Sequence, residues 1–130
     1  IKEYHLQDRV HLLGHKTDVE NYIDIADVMV LPSYFETFGL VLAEGMAMQK
    51  PAIAFNVGGI SEVISDKETG FLVKYNDDDD LVNKINILAQ DKDLCSKMGV
   101  IARKKVEKDF ANQIMIKKLI EVYVSIKNSG

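Results

Sequence analysis

Residues Ser33 to Pro51 read SYFETFGLVLAEGMAMQKP, and this stretch decides the architecture of the chain around it. Just before it, Asp27-Val28-Met29-Val30-Leu31 is a short apolar run closed by Pro32. Such a run predicts a buried parallel strand that delivers the following loop at its carboxyl end. Open α/β sheets bind their ligands at that edge. From Leu40 to Met48 the residues are strong helix formers, apolar nearly all round, which predicts a buried helix with its N-terminus aimed at the loop. Its first amides would lack intrahelical acceptors, and Gly39 would let a ligand approach the backbone closely. A helix terminus of this kind favours phosphate.

Two carboxylates, Glu36 and Glu44, flank the Phe38-Gly39-Leu40 turn, which conflicts with a phosphate site unless they face another part of the ligand. Sugar hydroxyls remove the conflict, because a carboxylate accepts hydrogen bonds from a vicinal diol as the acidic residue of dinucleotide folds does from ribose. The ligand would then carry hydroxyls on both sides of its phosphates, and a nucleotide sugar, with ribose at one end and a hexose at the other, fits that description.

The pattern Glu36-Thr37-Phe38-Gly39-Leu40-Val-Leu-Ala-Glu44 followed by Ala47-Met-Gln-Lys-Pro51 is similar to the signature of the family-4 type of retaining GT-B glycosyltransferases. The likeness extends to Ala26-Asp27, Pro32-Ser33, Gly58-Gly59-Ile60-Ser61-Glu62 and Thr69-Gly70-Phe71-Leu72-Val73, in matching order over roughly residues 10 to 75. One departure is that Met48-Gln49-Lys50 stands where that family usually has a glycine before the proline position. The resemblance implies that Glu44 binds the nucleotide ribose. It further implies that Glu36, the candidate catalytic residue, lies near the donor sugar, and that Thr37, Phe38, Gly39 and Leu40 bring backbone amides to the diphosphate and sugar. His15, Ser33, Gly58 and Gly59 are further candidates for the cleft wall. No cofactor and no metal is expected; the nucleotide-diphosphate sugar is a substrate.

The length of 130 residues suffices for one domain with its own core, and a composition 47% hydrophobic and 28% charged is that of a globular chain. A net charge of −4, with no dense Lys/Arg cluster in the first half, argues against nucleic acid as a partner. One cysteine, Cys95, cannot form an internal disulfide, which suits a reducing compartment, and no apolar run reaches transmembrane length. The expected location is cytoplasmic, with the inner face of the membrane as a docking surface for a longer protein acting on lipid-linked acceptors. Because the chain opens at Ile1 in what reads as the tail of a helix, Ile1 to Gln7, it is expected to be a fragment. By the resemblance, residues 1–130 form a single domain, the later part of the nucleotide-sugar-binding domain of a two-domain enzyme. The acceptor domain is then absent, and the fragment alone is expected to be inactive.

Along the chain, Val10-His11-Leu12-Leu13-Gly14 predicts a first strand, and Thr17-Asp-Val-Glu20 a capping box opening a helix that buries Val19, Tyr22, Ile23 and Ala26. Pro51 to Phe55 predicts a third strand, Ile60 to Ile64 a small helix, Asp66 to Gly70 a polar turn, and Phe71 to Val73 a fourth strand. Strands alternating with helices imply a Rossmann-like parallel sheet with flanking helices. From Asp77 on the pattern is wholly helical, burying Leu81, Val82, Ile85, Leu88 and Ala89, then Leu94, Met98, Ile101 and Ala102, then Met115, Leu119, Val122, Tyr123 and Ile126. In the resembling family the terminal helices pack across the junction between domains, so apolar surface is expected to stay uncovered here.

Asn76-Asp77-Asp78-Asp79-Asp80 invites a divalent-metal reading, but carboxylates just before an amphipathic helix are what its positive end favours. His5, His11 and His15 do not combine with Cys95 at metal-ligand spacing. The basic run Arg103 to Lys108 fits either an anionic membrane surface or an alternating-charge exposed helix. Functionally the leading expectation is transfer of a sugar from a nucleotide-diphosphate donor to a glycan or lipid-linked acceptor of the cell-surface polysaccharide type. One rival is a glycoside hydrolase using Glu36 and Glu44, which has no need of a phosphate-binding helix terminus. Another is a non-catalytic nucleotide-binding α/β module, which would need neither glutamate.

Overall fold

Residues 52–55, Ala-Ile-Ala-Phe, form a strand buried on both faces, and the rest of the molecule is layered about it. The structure is a computed structural model that describes residues 1–128, apart from the side chains at positions 112, 115, 118, 123 and 125–128. Its order is α1 (Val19–Ile25), β1 (Met29–Leu31), α2 (Leu40–Ala47), β2 (Ala52–Phe55), α3 (Ile60–Val63), β3 (Gly70–Val73), α4 (Asp78–Gln90), α5 (Lys92–Asp109) and α6 (Asn112–Asn128). The three strands pair in parallel in the order β1-β2-β3, with Met29 opposite Ala52 and Ala52 opposite Gly70. This is the Rossmann-like α/β sheet that the alternating pattern predicts.

Alternation along β2 divides the interior in two. Ala52 and Ala54 face a core built with Leu42 and Met46 of α2, Ile60 and Val63 of α3, and Ala102 of α5. Ile53 and Phe55 face a second core with Phe71, Val73, Leu81, Leu88, Cys95 and Met98. Helix α5 therefore belongs to both. On its way it passes the amino-terminal end of the sheet, where the Cys95 thiol donates to the Asp27 carbonyl (3.4 Å) and Lys92 pairs with the Asp27 carboxylate (2.9 Å). A Cβ at Gly99 would run into the Gln49 carbonyl oxygen, so glycine is what lets α5 cross the end of α2 at backbone distance. Burial, then the Asp27 carboxylate, holds the Cys95 thiol above its ordinary range, while the bond to Asp27 raises the Lys92 ammonium.

Several expectations are corrected. Residues 1–7 form turns rather than a helix tail, closed by bonds such as His5 N–H to the Lys2 carbonyl. Val10 to Gly14 is not a strand: it pairs with no other segment among the described residues, and Leu12 is 86% exposed. A strand is a pairing, and apolar residues alone do not supply the partner. The capping box is absent, since the N-cap of α1 is Asp18 and no side chain bonds the helix start. Of the predicted α1 face only Ile23 is fully buried. β1 is parallel but half-buried rather than buried, because it is the edge of the described sheet. Val82 and Ala89 lie exposed because successive residues turn by ~100°, which places both on the flank of the Leu81–Ile85–Leu88 stripe. Ile101, Leu119 and Val122 are also exposed, and Met115, Tyr123 and Ile126 lie outside the described side chains. The expected uncovered apolar surface is thus present on α6, where Ile116, Leu119, Ile120 and Val124 are all more than half exposed.

Candidate functional site

The loops at the carboxyl ends of the three strands meet at one edge of the sheet. Tyr34, after β1, packs edge-to-face on Tyr75, after β3 (5.8 Å), and Tyr75 packs likewise on Phe55 at the end of β2 (6.2 Å). The Asn56 N–H donates to the Val73 carbonyl (2.7 Å), tying the second loop to the third strand. Between Tyr34 and α2 lies the turn that carries most of the predicted site.

Glu36 is the acceptor that shapes this turn. Its Oε1 receives the backbone N–H of Thr37 at 3.0 Å and of Phe38 at 3.4 Å. A carboxylate that accepts two amides of its own loop fixes both the loop and itself. The second loop supports the first through its backbone: a Cβ at Gly58 would run into the Glu36 carbonyl oxygen, and one at Gly59 into that of Thr37. Gly58 and Gly59 thus pack closely on the backbone of the Glu36–Thr37 segment. Gly58 adopts φ +52°, in the left-handed region.

Gly39, at φ 83°, is the N-cap of α2, and no side chain bonds the helix start. The first amides bonded within the helix are those of Leu42 and Ala43, both to the Gly39 carbonyl. The N–H groups of Gly39, Leu40 and Val41 have no acceptor among the described residues, as the start of an α-helix requires when nothing caps it. A side chain on Gly39 would strike Ile60 Cδ1 at 2.7 Å. Leu40 is exposed beside these amides, and Leu42, Ala43 and Met46 anchor the helix behind them.

Glu44 lies about one helical turn further along α2, exposed, on the wall of a groove of about 400 Å³ between α1 and α2. Val19, Glu20, Ile23, Ala47 and Met48 complete that wall. The structure therefore places Glu36, Thr37, Phe38, Gly39, Leu40, Gly58 and Gly59 together, with Ser33 half-buried at the start of the same loop and Glu44 on the α1 side of the helix. His15 is exposed in the segment before α1.

Two residues of the neighbourhood were not foreseen. Glu20 enters the groove from α1, where the sequence suggested only a cap. Phe110, at the end of α5, packs its ring edge-to-face on Phe38 at 5.1 Å. The aspartate run behaves as a helix start: the Asp77 carboxylate accepts the Asp80 N–H (3.0 Å) and Asp80 pairs with Lys84 (3.3 Å). The basic run is laced with intrahelical pairs, Arg103 with Glu107 and Lys105 with Asp109. Among the described residues no helix is long and apolar enough to cross a membrane.

Residues 1–105 match the family described as "Glycosyl transferases group 1". The chain is 35% identical over 126 residues to the N-acetyl-alpha-D-glucosaminyl L-malate synthase of Bacillus anthracis, covering 97% of this chain and 33% of that protein. It is 34% identical over 114 residues to the capsular polysaccharide biosynthesis glycosyltransferase CapM of Staphylococcus aureus, covering 88% of this chain and 30% of that one. The chain thus spans about a third of the length of these curated relatives. Among solved structures it superimposes on Anabaena Alr3699/HepE in complex with UDP and glucose with a TM-score of 0.88 and 26% identity, over 95% of this chain and 34% of that one. With four-fifths of its length inside the family match, the chain belongs to the group 1 glycosyl transferases.

Proposed function

We propose that this chain supplies much of the donor half of a two-domain GT-B enzyme of the family-4, retaining type, which transfers a hexose from a nucleotide-diphosphate sugar to a glycan or lipid-linked acceptor. The observation that carries the reading is the turn itself. Unpartnered amides of Gly39, Leu40 and Val41 open at the carboxyl edge of a parallel sheet, with a fixed carboxylate, Glu36, before them and a second, Glu44, one helical turn beyond. The UDP and glucose held by the Anabaena neighbour support the same ligand class here.

In this reading the free amides receive diphosphate oxygens, and they stabilise the charge that develops on the diphosphate as the sugar departs. Glu44 accepts the ribose diol from its side of α2. Glu36 gives one oxygen to Thr37 and Phe38, which leaves the other for the donor sugar. The residues act by position and charge, without a protein nucleophile, and the reaction runs without a metal. The acceptor is held by the rest of the longer protein, so residues 1–130 alone bind nucleotide weakly and do not turn donor over. The enzyme works in the cytoplasm, and contact with the inner membrane face is made by that same remainder.

The test separates the two glutamates. Glu44→Gln weakens two charge-assisted bonds, each worth roughly 1.5–3 kcal/mol at most, so affinity for the bare nucleoside diphosphate falls. Glu36→Gln leaves that affinity nearly unchanged and slows transfer by the intact enzyme, since an amide oxygen still accepts the two backbone N–H groups. Calorimetry with a panel of nucleoside diphosphates and kcat/KM for the sugar donor measure both. Equal losses of nucleotide affinity would refute the division of labour, and no effect of either change would move the donor site elsewhere.

A further inference from the structure

The turn Glu36-Thr37-Phe38 has no regular secondary structure, so its shape depends on what holds it. Two of the holds are close by: the Thr37 and Phe38 N–H bonds to the Glu36 side-chain Oε1, and the packing of Gly58 and Gly59. The third comes from far along the chain. Phe38 and Phe110 meet with ring centroids 5.1 Å apart and planes at 84°, the edge-to-face arrangement favoured by aromatic quadrupoles. Both rings are partly buried against the core that contains Leu42, Met46 and Ile60.

Phe110 is itself fixed. It caps α5, its N–H donating to the Val106 carbonyl at 2.9 Å. The Lys105 ammonium lies 5.9 Å from its ring centroid, held there by the Asp109 carboxylate at 3.2 Å. The ring is thus oriented before it touches Phe38. Phe38 lies between the amide that Glu36 accepts and Gly39, whose left-handed φ turns the chain into α2. A shift of the Phe38 ring that carries its Cα along rotates the peptide planes on either side of it, one of which bonds Glu36.

We propose that Phe110 is a positioning residue for the donor turn, holding Phe38 so that the Glu36 carboxylate and the amides of Thr37 and Phe38 keep their mutual geometry. The inference rests on the donor-site reading for its functional consequence and on the ring geometry alone for its structural one. Misplacement of a reacting group by even 1 Å costs up to about a hundredfold in rate, so a modest change at Phe110 is felt at the turn.

The experiment compares Phe110→Leu, Phe110→Tyr and Glu36→Ala in the chain by amide chemical shifts, with Glu36→Ala marking the values of Thr37 and Phe38 when the acceptor is gone. Phe110→Leu is expected to move both amides at least half of the way to those values, while the amides of Ala52–Phe55 stay in place. Phe110→Tyr, which keeps the ring, retains the wild-type shifts. In the longer enzyme Phe110→Leu lowers kcat about tenfold with little change in acceptor KM, and Phe110→Tyr restores it. If the Thr37 and Phe38 amides keep wild-type shifts in Phe110→Leu, or if every amide moves together, the positioning role is overturned. If the two amides move and transfer is untouched, the functional consequence is overturned. Nucleotide binding to Glu44→Gln then tells independently whether the donor site is elsewhere.

Discussion

Within Met48-Gln49-Lys50, where the resemblance leads one to expect a glycine before the proline, the backbone shows which position suits that residue. Gln49 adopts φ 61°, the Lys50 N–H donates to the Gly45 carbonyl (2.9 Å) and the Gln49 N–H to that of Met46 (3.0 Å). These two bonds form a Schellman motif, whose left-handed residue is most often glycine because a Cβ is strained in that conformation. Gln49→Gly is therefore expected to stabilise the chain by about 1 kcal/mol, seen as a higher urea midpoint with an unchanged m-value. A lower midpoint would mean that the Gln49 side chain contributes more than its backbone costs. The glutamates of the turn were legible in the sequence because their setting is local: an apolar strand, a glycine and a helix start lie within a few residues of each. Phe110 was not, since its partner Phe38 lies far away in sequence and only the packed fold brings the rings together.

Among the elements, α4 is the one whose start was written most plainly. Asp77 caps it by accepting the Asp80 N–H, and Asp78, Asp79 and Asp80 occupy its first turn, where the helix dipole favours negative charge. Asp77→Ala should cost about 1 kcal/mol in thermal or urea unfolding, while the double change of Asp78 and Asp79 to Asn should cost only a few tenths. A metal-dependent loss of transfer in that double variant would overturn the assignment of these aspartates to the helix start. The other elements show where periodicity stops being informative. The apolar residues of 10–14 have strand chemistry yet remain unpaired, and α6 has a helical stripe that nothing among the described residues covers. Sequence pattern identifies the face an element offers, and the presence of a partner decides whether that face is used.

For the whole molecule, α5 is what joins the two cores, since Cys95 and Met98 enter one and Ala102 the other. Its attachment to the start of β1 includes the bond from the Cys95 thiol to the Asp27 carbonyl. Cys95 is the single cysteine in the sequence, it is buried, and that burial raises its thiol above the ordinary range. Because the thiolate is the nucleophile, an alkylating reagent reaches it only when α5 lifts from the sheet. Iodoacetamide should consequently label the native chain orders of magnitude more slowly than the unfolded one, and the rate should climb with low concentrations of urea. Labelling at the speed of a free thiol would show that the helix does not stay docked. The ratio of the two rates converts to the free energy of undocking, so the wild-type chain carries a built-in chemical timer for the opening of its own interior.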